Sequence, residues 1–189
     1  MLLFEGKYLE VHKIDDWECV KRKNNRSVGI VAITQDFKLV LVEQFRIPMQ
    51  KKCIELPAGL IGDVDKKETA EETAKRELLE ETGYYAHNLK IAGEFAISPG
   101  LSNEMMSLAI ATNLEKKGEG GGDEKENIKV LHVNMSSFPS YFASLQKNDQ
   151  IVDSKVLLGI HFGFEYIHEQ IKNGKIDYTD FMKRGGNCQ

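Results

Sequence analysis

The most constraining feature of this sequence is one short helix whose start and end are both marked by residue type. Thr69 is followed three residues later by Glu72, a capping-box pattern that predicts a helix beginning near Ala70. Gly83 predicts a left-handed end to the same helix, because glycine adopts positive φ without steric cost. We therefore expect a helix over about residues 70–81, with its apolar positions packed inward and its acidic edge free.

Three carboxylates lie close together on this predicted helix. Because an α-helix turns once per 3.6 residues, Glu77, Glu80 and Glu81 share one face. Two carboxylates about 5 Å apart at an effective dielectric of about 20 repel each other by roughly 3 kcal/mol, which a hard cation such as Mg²⁺ or Mn²⁺ would reverse. The spacing therefore predicts a divalent-cation site. The alternative is a solvated acidic helix face, the usual fate of a charge run.

Patterns before and after this helix predict an α+β fold. Short apolar runs between residues 7 and 45 alternate with turn residues, which is typical of antiparallel strands. Further strands are predicted over residues 51–56, 90–97, 105–112 and 128–133, and further helices over residues 138–146 and 152–172. The last helix carries apolar side chains at helical spacing, which predicts core packing or a subunit interface, at Val156, Leu157, Ile160, Phe164 and Ile167. We expect a mixed β-sheet sandwiched between helices and preceded by a small N-terminal antiparallel β region.

Composition narrows the partners and the compartment. The formal net charge of −4 and the pI near 5.8 argue against a general nucleic-acid binder, whereas small anionic substrates stay compatible if a metal neutralises their charge. Cys19, Cys53 and Cys188 are too widely spaced to suggest a disulfide framework or a zinc site. The N-terminus lacks a basic segment followed by an apolar stretch, and no apolar run of about 18 residues occurs, so we expect a cytoplasmic protein with no membrane partner.

The acidic helix belongs to a longer pattern of fixed residues and gaps. In order, the pattern reads Gly62, five residues, Glu68, seven residues, Arg76-Glu77-Leu78, one residue, Glu80-Glu81, one residue and Gly83-Tyr84. It resembles the box of the Nudix hydrolase family at every defined position. The resemblance implies that residues 57–83 form a strand–loop–helix platform for metal.

The family resemblance assigns roles within this platform. It implies Mg²⁺ or Mn²⁺ as the cofactor, bound by Glu77, Glu80, Glu81 and the backbone carbonyl of Ala58. Glu80 is in addition a candidate catalytic residue. An ion pair between Arg76 and Glu68 would brace the loop rather than touch the substrate.

Segments outside the box narrow the expected substrate. Pro99 lies sixteen residues after Gly83 and resembles a marker of the ADP-ribose pyrophosphatase branch of the family. Gln44-Phe45-Arg46, followed by residues 54–61, resembles the same branch. The resemblance implies metal-dependent hydrolysis of the diphosphate bond of ADP-ribose or a related nucleoside diphosphate sugar, giving a nucleoside monophosphate and a sugar phosphate. The alternatives are a nucleotide-binding sensor that has lost catalysis and a family enzyme for another nucleoside diphosphate derivative.

The same branch suggests which residues contact the substrate. Trp17 and Glu18 fall where it places an aromatic ring and a carboxylate against the adenine base; the ring can stack, and the carboxylate can accept a hydrogen bond from an exocyclic amine. The alternative for a sole Trp in an early strand is a core position. Arg46 and Arg22 suit the diphosphate because guanidinium pairs bidentately with phosphate oxygens, with a surface ion pair as the alternative. The remaining predicted contacts are Ala58 and Glu104.

A charged loop with three consecutive glycines lies between the last two predicted strands. On composition alone, residues 115–126 are predicted to form a disordered hairpin tip. The family resemblance instead makes this loop a lid that brings a mobile carboxylate over the metals, with Glu124 as general base and Glu126 as a further metal ligand and catalytic residue. Glu104 is a third candidate for the base.

The resemblance also implies a homodimer. In it, residues 1–38 form a small β region for dimerisation and substrate contacts, and residues 39–189 form the Nudix hydrolase domain. The N-terminal region of one subunit would complete the substrate site of the other. Such a shared site would explain why Trp17 lies far in sequence from the acidic helix.

Overall fold

The chain forms a small sheet followed by a large sheet. A computed structural model describes residues 1–122, 127–148 and 150–186. The small antiparallel sheet contains β1 (Leu2–Glu5), β2 (Leu9–Ile14) and β3 (Trp17–Arg22). The large mixed sheet contains β4 (Arg26–Ile33), β5 (Lys38–Arg46), β6 (Lys51–Glu55), β7 (Ala58–Leu60), β8 (Tyr84–Ala96), β9 (Met105–Lys116), β10 (Lys129–Asn134) and β11 (Ile151–Val152).

Helices flank the large sheet. They are α1 (Ala70–Thr82), α2 (Phe138–Lys147), α3 (Ser154–Lys172) and α4 (Tyr178–Gly186), with short 3₁₀ turns at Ile47–Met49 and Met135–Ser137. Over the described ranges, none of the helices is both long enough and apolar enough to cross a lipid bilayer.

Strand β4 is the centre of the large sheet. The strand order is β11-β6-β5-β4-β9-β8, with β7 paired to β4 and β10 paired to β5. β4 runs parallel to β9 from Arg26 to Ala32, and β9 pairs with β8 in the antiparallel sense. Every residue of β4 from Val28 to Ile33 is buried, which is typical of a strand covered on both faces.

Alternation along β4 divides its side chains between two cores. Ile30 and Ala32 pack with Leu78 of α1 in one cluster. Val31 and Ile33 face the other way and pack in a second cluster with residues of α2, α3 and α4. Because successive strand side chains point to opposite faces, one apolar strand serves both cores. The predicted α+β architecture, a mixed sheet between helices with a small N-terminal β region, is confirmed.

The apolar stripe on α3 belongs to the core. Val156, Ile160 and Ile167 are buried in the second cluster, and Phe164 packs against it. Leu157 is 43% exposed, so it does not belong to the core part of the stripe. It lies one residue, or about 100°, further round the helix than Val156 and therefore leaves the buried face.

Some elements lie outside the predicted ones. β8 begins at Tyr84 rather than near residue 90, because Gly83, at a φ of 71°, turns the chain directly from α1 into the sheet. β1, β11 and α4 are also additional. All four residues of β1 are exposed, so its sequence lacks the alternation of apolar and polar residues that marks a half-buried strand.

The small sheet is joined to the large one by backbone hydrogen bonding. The Val20 N–H donates to the Leu101 carbonyl at 2.8 Å, which places β3 beside the loop that contains Pro99. β4 already belongs to the large sheet, so the boundary between the two sheets lies between Arg22 and Arg26. The expected N-terminal region, residues 1–38, therefore includes β4 of the large sheet. The role of the N-terminal region in dimerisation stays a prediction.

Candidate active site

Helix α1 begins at the predicted residue and ends one residue after the predicted end. The Thr69 hydroxyl accepts from the Glu72 N–H at 3.3 Å, and the Glu72 carboxylate accepts from the Thr69 N–H at 2.8 Å. Gly83 adopts the left-handed conformation and donates its N–H to the Leu79 carbonyl at 2.8 Å. These local bonds satisfy backbone groups that a helix end otherwise leaves open, so they set the position of the acidic residues between them.

Arg76 of α1 is the centre of a cluster of carboxylates. Its Nε and Nη2 donate to the two carboxylate oxygens of Glu68 at 3.0 and 3.2 Å, so the predicted bracing pair is present. Its Nη1 donates to Glu77 Oε1 at 2.9 Å and to Glu80 Oε2 at 3.0 Å. The hydrogen bonds with Glu68 raise the pKa of the Arg76 guanidinium and lower the pKa of the Glu68 carboxyl. Arg76 therefore offsets the mutual repulsion of the helix carboxylates.

Two of the helix carboxylates lie against the backbone of β7. The Ala58 N–H donates to Glu81 Oε2 at 3.0 Å, and Glu81 is only 4% exposed. At Gly59, an added Cβ would lie 2.1 Å from Glu77 Cδ, so the Glu77 side chain occupies the space that any larger residue would fill. This close approach requires glycine. β7 therefore determines where two carboxylates of α1 are placed.

The donors at this end of α1 fit a hard divalent cation. Glu77, Glu80 and Glu81 supply carboxylate oxygens, which are the ligands that Mg²⁺ and Mn²⁺ prefer, and Ala58 lies beside Glu81. Within the part of the chain that the structure describes, no three His, Cys, Asp or Glu side chains are arranged so that they could hold a metal ion. Glu77 and Glu80 turn instead to Arg76. A metal ion bound here would have to draw these two carboxylates away from Arg76.

The glycine-rich loop is docked on the C-terminal end of α1. The Gly121 N–H donates to the Glu81 carbonyl at 2.8 Å, and the Gly122 N–H donates to the Glu80 carbonyl at 3.1 Å. These bonds satisfy carbonyls at the end of the helix. Up to Gly122, the loop is therefore held in place, and the composition-based prediction of a free hairpin tip is wrong for this part.

Two further contacts close the same end of α1. Lys116 Nζ donates to the Thr82 carbonyl at 2.8 Å, a favourable place for a cation because the C-terminal end of a helix is negative. A Cβ on Gly83 would lie 2.0 Å from the Gly118 carbonyl oxygen, so loop and helix touch backbone to backbone. The sequence pattern predicts Gly83 as a helix stop and misses this second reason for glycine.

Of the three candidates for the general base, only Glu104 lies among the described residues. Glu124 and Glu126 lie in residues 123–126, outside the described residues, so their roles stay predictions. Glu104 Oε1 lies 3.9 Å from Arg22 Nη1. The fold thus brings together two of the residues predicted to contact the substrate, one from β3 and one from the Pro99 loop.

Arg46 is held by a buried carboxylate that the sequence patterns did not single out. Its Nε donates to Glu55 Oε1 at 2.6 Å, and its Nη2 donates to Glu55 Oε2 at 2.5 Å. Glu55 is 4% exposed, whereas the Arg46 side chain is 44% exposed. The hydrogen bonds to Glu55 raise the pKa of Arg46, and the charge of Glu81 adds to this effect. A glutamate between two apolar residues, Ile54 and Leu56, shortly after a predicted substrate arginine is the signal that could have found this pair.

Trp17 and Glu18 lie at the start of β3, in the small sheet. Both residues are exposed, and Trp17 is 67% exposed. The core alternative for the sole tryptophan is therefore wrong. An indole with this exposure is accessible to a ligand or to a second chain.

This chain matches a family model described as the NUDIX domain over residues 23–148. It is 32% identical over 169 residues to the methanol dehydrogenase activator of Bacillus methanolicus, covering 85% of this chain and 87% of that protein. It is 32% identical over 170 residues to the ADP-ribose pyrophosphatase of Bacillus subtilis (strain 168), again covering 85% of this chain and 87% of that protein.

A solved structure shares the fold. The crystal structure of an ADP compounds hydrolase superposes with a TM-score of 0.70, covering 93% of this chain and 94% of that chain at 19% sequence identity. At this identity the likeness establishes the architecture alone. The family match and the two relatives show that the chain belongs to the Nudix hydrolase family.

Proposed function

We propose that this Nudix hydrolase cleaves the diphosphate bond of ADP-ribose or a related nucleoside diphosphate sugar, releasing a nucleoside monophosphate and a sugar phosphate. The observation that carries the proposal is that Glu77 and Glu81 lie against the backbone of β7, while Arg46 is bonded to Glu55, three residues before Ala58 of β7. Strand alternation puts Arg46 on the same face as Val40, which packs in the α1-side core. Carboxylates for a metal and a cation for the diphosphate therefore share one face of the sheet.

The family uses divalent metal ions, and we propose Mg²⁺ or Mn²⁺ for this chain, held by Glu77, Glu80, Glu81, the Ala58 carbonyl and Glu126. Such an ion supplies charge neutralisation and a more acidic bound water. Glu80 is also proposed to act in catalysis.

The remaining chemistry belongs to side chains outside the metal platform. Glu124 is proposed to accept the proton of the attacking water, with Glu126 and Glu104 as the other candidates.

Recognition is proposed to come from residues outside the box. The exposed Trp17 ring would stack on the base, and Glu18 would accept from its exocyclic amine. Arg46 and Arg22 would bind the diphosphate through guanidinium donors. Ala58 and Glu104 complete the proposed substrate contacts.

We further propose that the active form is a homodimer in which residues 1–38 of one subunit complete the site of the other, formed by residues 39–189. The support is the exposed apolar surface of the small sheet, where Phe4 is 61% exposed and Tyr8 is 65% exposed. Such a patch is typical of a protein–protein interface. Light scattering on the wild type and on Phe4→Asp should give a dimer and a monomer with lowered activity. A wild-type monomer with full activity would contradict the proposal.

A substrate panel tests the proposed reaction. ADP-ribose, other nucleoside diphosphate sugars, nucleoside triphosphates, dinucleoside polyphosphates and coenzyme A would each be incubated with Mg²⁺ or Mn²⁺, and the released products measured. Glu81→Gln should abolish turnover, whereas Glu71→Gln, which changes an exposed carboxylate in the first turn of α1, should retain it. No turnover above the Glu81→Gln background would end the proposal. A specificity constant about tenfold higher for a triphosphate, a difference of about 1.4 kcal/mol, would overturn the substrate choice.

The second candidate function is a nucleotide-binding sensor without catalysis. A sensor of this kind is expected to lose one or more of the box carboxylates, and this chain retains Glu77, Glu80 and Glu81. Measurable multiple turnover in the same panel would exclude it.

A further inference from the structure

We propose that Glu55 is a positioning residue that fixes the guanidinium of Arg46 for binding the diphosphate of the substrate, an inference that rests on the proposed function. Guanidinium carries five N–H donors in a planar fork. Glu55 takes the Nε donor and one Nη2 donor in two short bonds of 2.6 and 2.5 Å. The Nη1 donors have no protein partner among the residues that the structure describes, so one edge of the fork is anchored and another is available to an anion.

Burial makes Glu55 a rigid anchor. The carboxylate is 4% exposed, and a buried charge of this kind is retained only when it is paired and hydrogen-bonded. Its strand, β6, is paired on both sides, with β5 and with β11. The Glu55 carboxylate is therefore fixed in position, and it sets the orientation of the Arg46 guanidinium.

The pair lies beside the metal platform. Glu55 precedes Ala58 by three residues, and the Ala58 N–H is bonded to Glu81. The negative charge of Glu81 stabilises the protonated guanidinium of Arg46. A diphosphate bound beside the carboxylates of α1 would thus be attracted by the guanidinium of Arg46, whose orientation is already set. Pre-orientation lowers the entropy lost when the substrate binds.

A second ion pair on the same two strands provides a matched control. Lys52 Nζ donates to Glu43 Oε1 at 3.1 Å, with the same separation of nine residues and on the opposite face of the sheet. The Lys52 side chain is 67% exposed, and the pair has one hydrogen bond in place of two. The Glu43 side chain is 11% exposed, but with a single hydrogen bond to a lysine that lies mostly in solvent the pair contributes little.

The experiment compares the wild type with Glu55→Gln, Arg46→Lys, the double variant and the control Glu43→Gln. Glutamine retains the shape of Glu55 but removes its charge and one acceptor, and lysine retains the charge of Arg46 but not its fork. Calorimetric titration with inorganic pyrophosphate measures diphosphate binding without turnover. Hydrolysis of ADP-ribose gives KM and kcat separately, and the Nε–H resonance of Arg46, assigned from its loss in Arg46→Lys, reports the bond to Glu55.

Each readout has an expected result. Glu55→Gln should expose the Nε–H of Arg46 to solvent exchange and raise the Kd for pyrophosphate and the KM for ADP-ribose about tenfold, the scale of one charge-assisted hydrogen bond, with a smaller change in kcat. Glu43→Gln should stay within about twofold of the wild type. In the Arg46→Lys background, Glu55→Gln should have no further effect on pyrophosphate binding, because the two residues act as one unit. If Glu55→Gln does not fold, Glu55→Asp, which withdraws the carboxylate but retains the charge, tests the same prediction.

Several results would overturn the inference. The first is a folded Glu55→Gln that binds pyrophosphate with wild-type affinity. The second is an effect of Glu55→Gln on pyrophosphate binding that is equally large in the wild type and in the Arg46→Lys background. The third is a wild type that binds pyrophosphate no better than Arg46→Lys does. Failure of the proposed function gives a different result. In that case the wild type hydrolyses no nucleoside diphosphate sugar, while the effect of Glu55 on pyrophosphate binding persists.

Discussion

Replacing Gly59 by alanine should displace the Glu77 carboxylate and lower activity far more than stability. The added Cβ would lie 2.1 Å from Glu77 Cδ and 2.2 Å from its Cγ. Since ordinary contact begins at 3.4 Å, the side chain has to retreat by about 1.3 Å. That movement breaks the 2.9 Å hydrogen bond between Arg76 Nη1 and Glu77 Oε1.

The two consequences differ in size for a physical reason. Overpacking costs about 1–3 kcal/mol, and the lower end applies here because the Glu77 side chain is 17% exposed and can rotate toward solvent. A loss of about 1 kcal/mol lowers the melting temperature by about 3 °C in a chain of this length. Misplacing a functional group by about 1 Å can lower the rate about 100-fold, or about 2.7 kcal/mol of transition-state stabilisation. We therefore expect kcat/KM to fall about 100-fold in Gly59→Ala.

The assay is steady-state hydrolysis of ADP-ribose with titrated Mg²⁺, together with thermal unfolding. Gly163→Ala is the matched control, because its added Cβ would lie 2.8 Å from Met135 Cε, a side chain in the core on the opposite face of the sheet. The control should lose a similar amount of stability and retain its kcat/KM. Wild-type kcat/KM in Gly59→Ala would refute the reasoning that β7 positions Glu77.

Three further predictions concern stability and recognition. Thr69→Ala removes one partner of the capping box with Glu72 and should cost about 1 kcal/mol in chemical denaturation, whereas Thr69→Ser should cost less. Partial desolvation and the charges of Lys116 and Lys38 lower the pKa of the surface residue His132 from 6.5, so its contribution to the unfolding free energy is present above pH 6.5 and is lost as the pH falls towards the folded pKa. His132→Gln, which can still pair with the Tyr84 hydroxyl 2.9 Å away, should remove that part of the decline between pH 7.5 and 5.5, and an unchanged decline would contradict it. Trp17 is the sole tryptophan and is exposed, so its fluorescence should be quenched in titrations with ADP-ribose, and an unaltered spectrum at saturation would argue against stacking.

Elements defined by local signals follow the sequence prediction closely. Helix α1 ends one residue after the predicted Glu81, because the bonds that start and stop it join residues three or four positions apart. The buried run of β4 is also readable, since a strand covered on both faces has an uninterrupted apolar sequence. β1 was not predicted because it is exposed throughout. The extent of β8 depends on its pairing with β9, which no local pattern reports.

The sequence by itself determined the family and the set of acidic residues on one helix, because box spacing and helical periodicity are properties of neighbouring positions. Only the tertiary structure decided which groups these residues meet. Glu81 is bonded to the Ala58 N–H across 23 residues, and Arg46 is anchored by Glu55 across two paired strands. These contacts arise from sheet pairing and from helix packing on the sheet, which bring together backbone and side chains that no sequence interval relates.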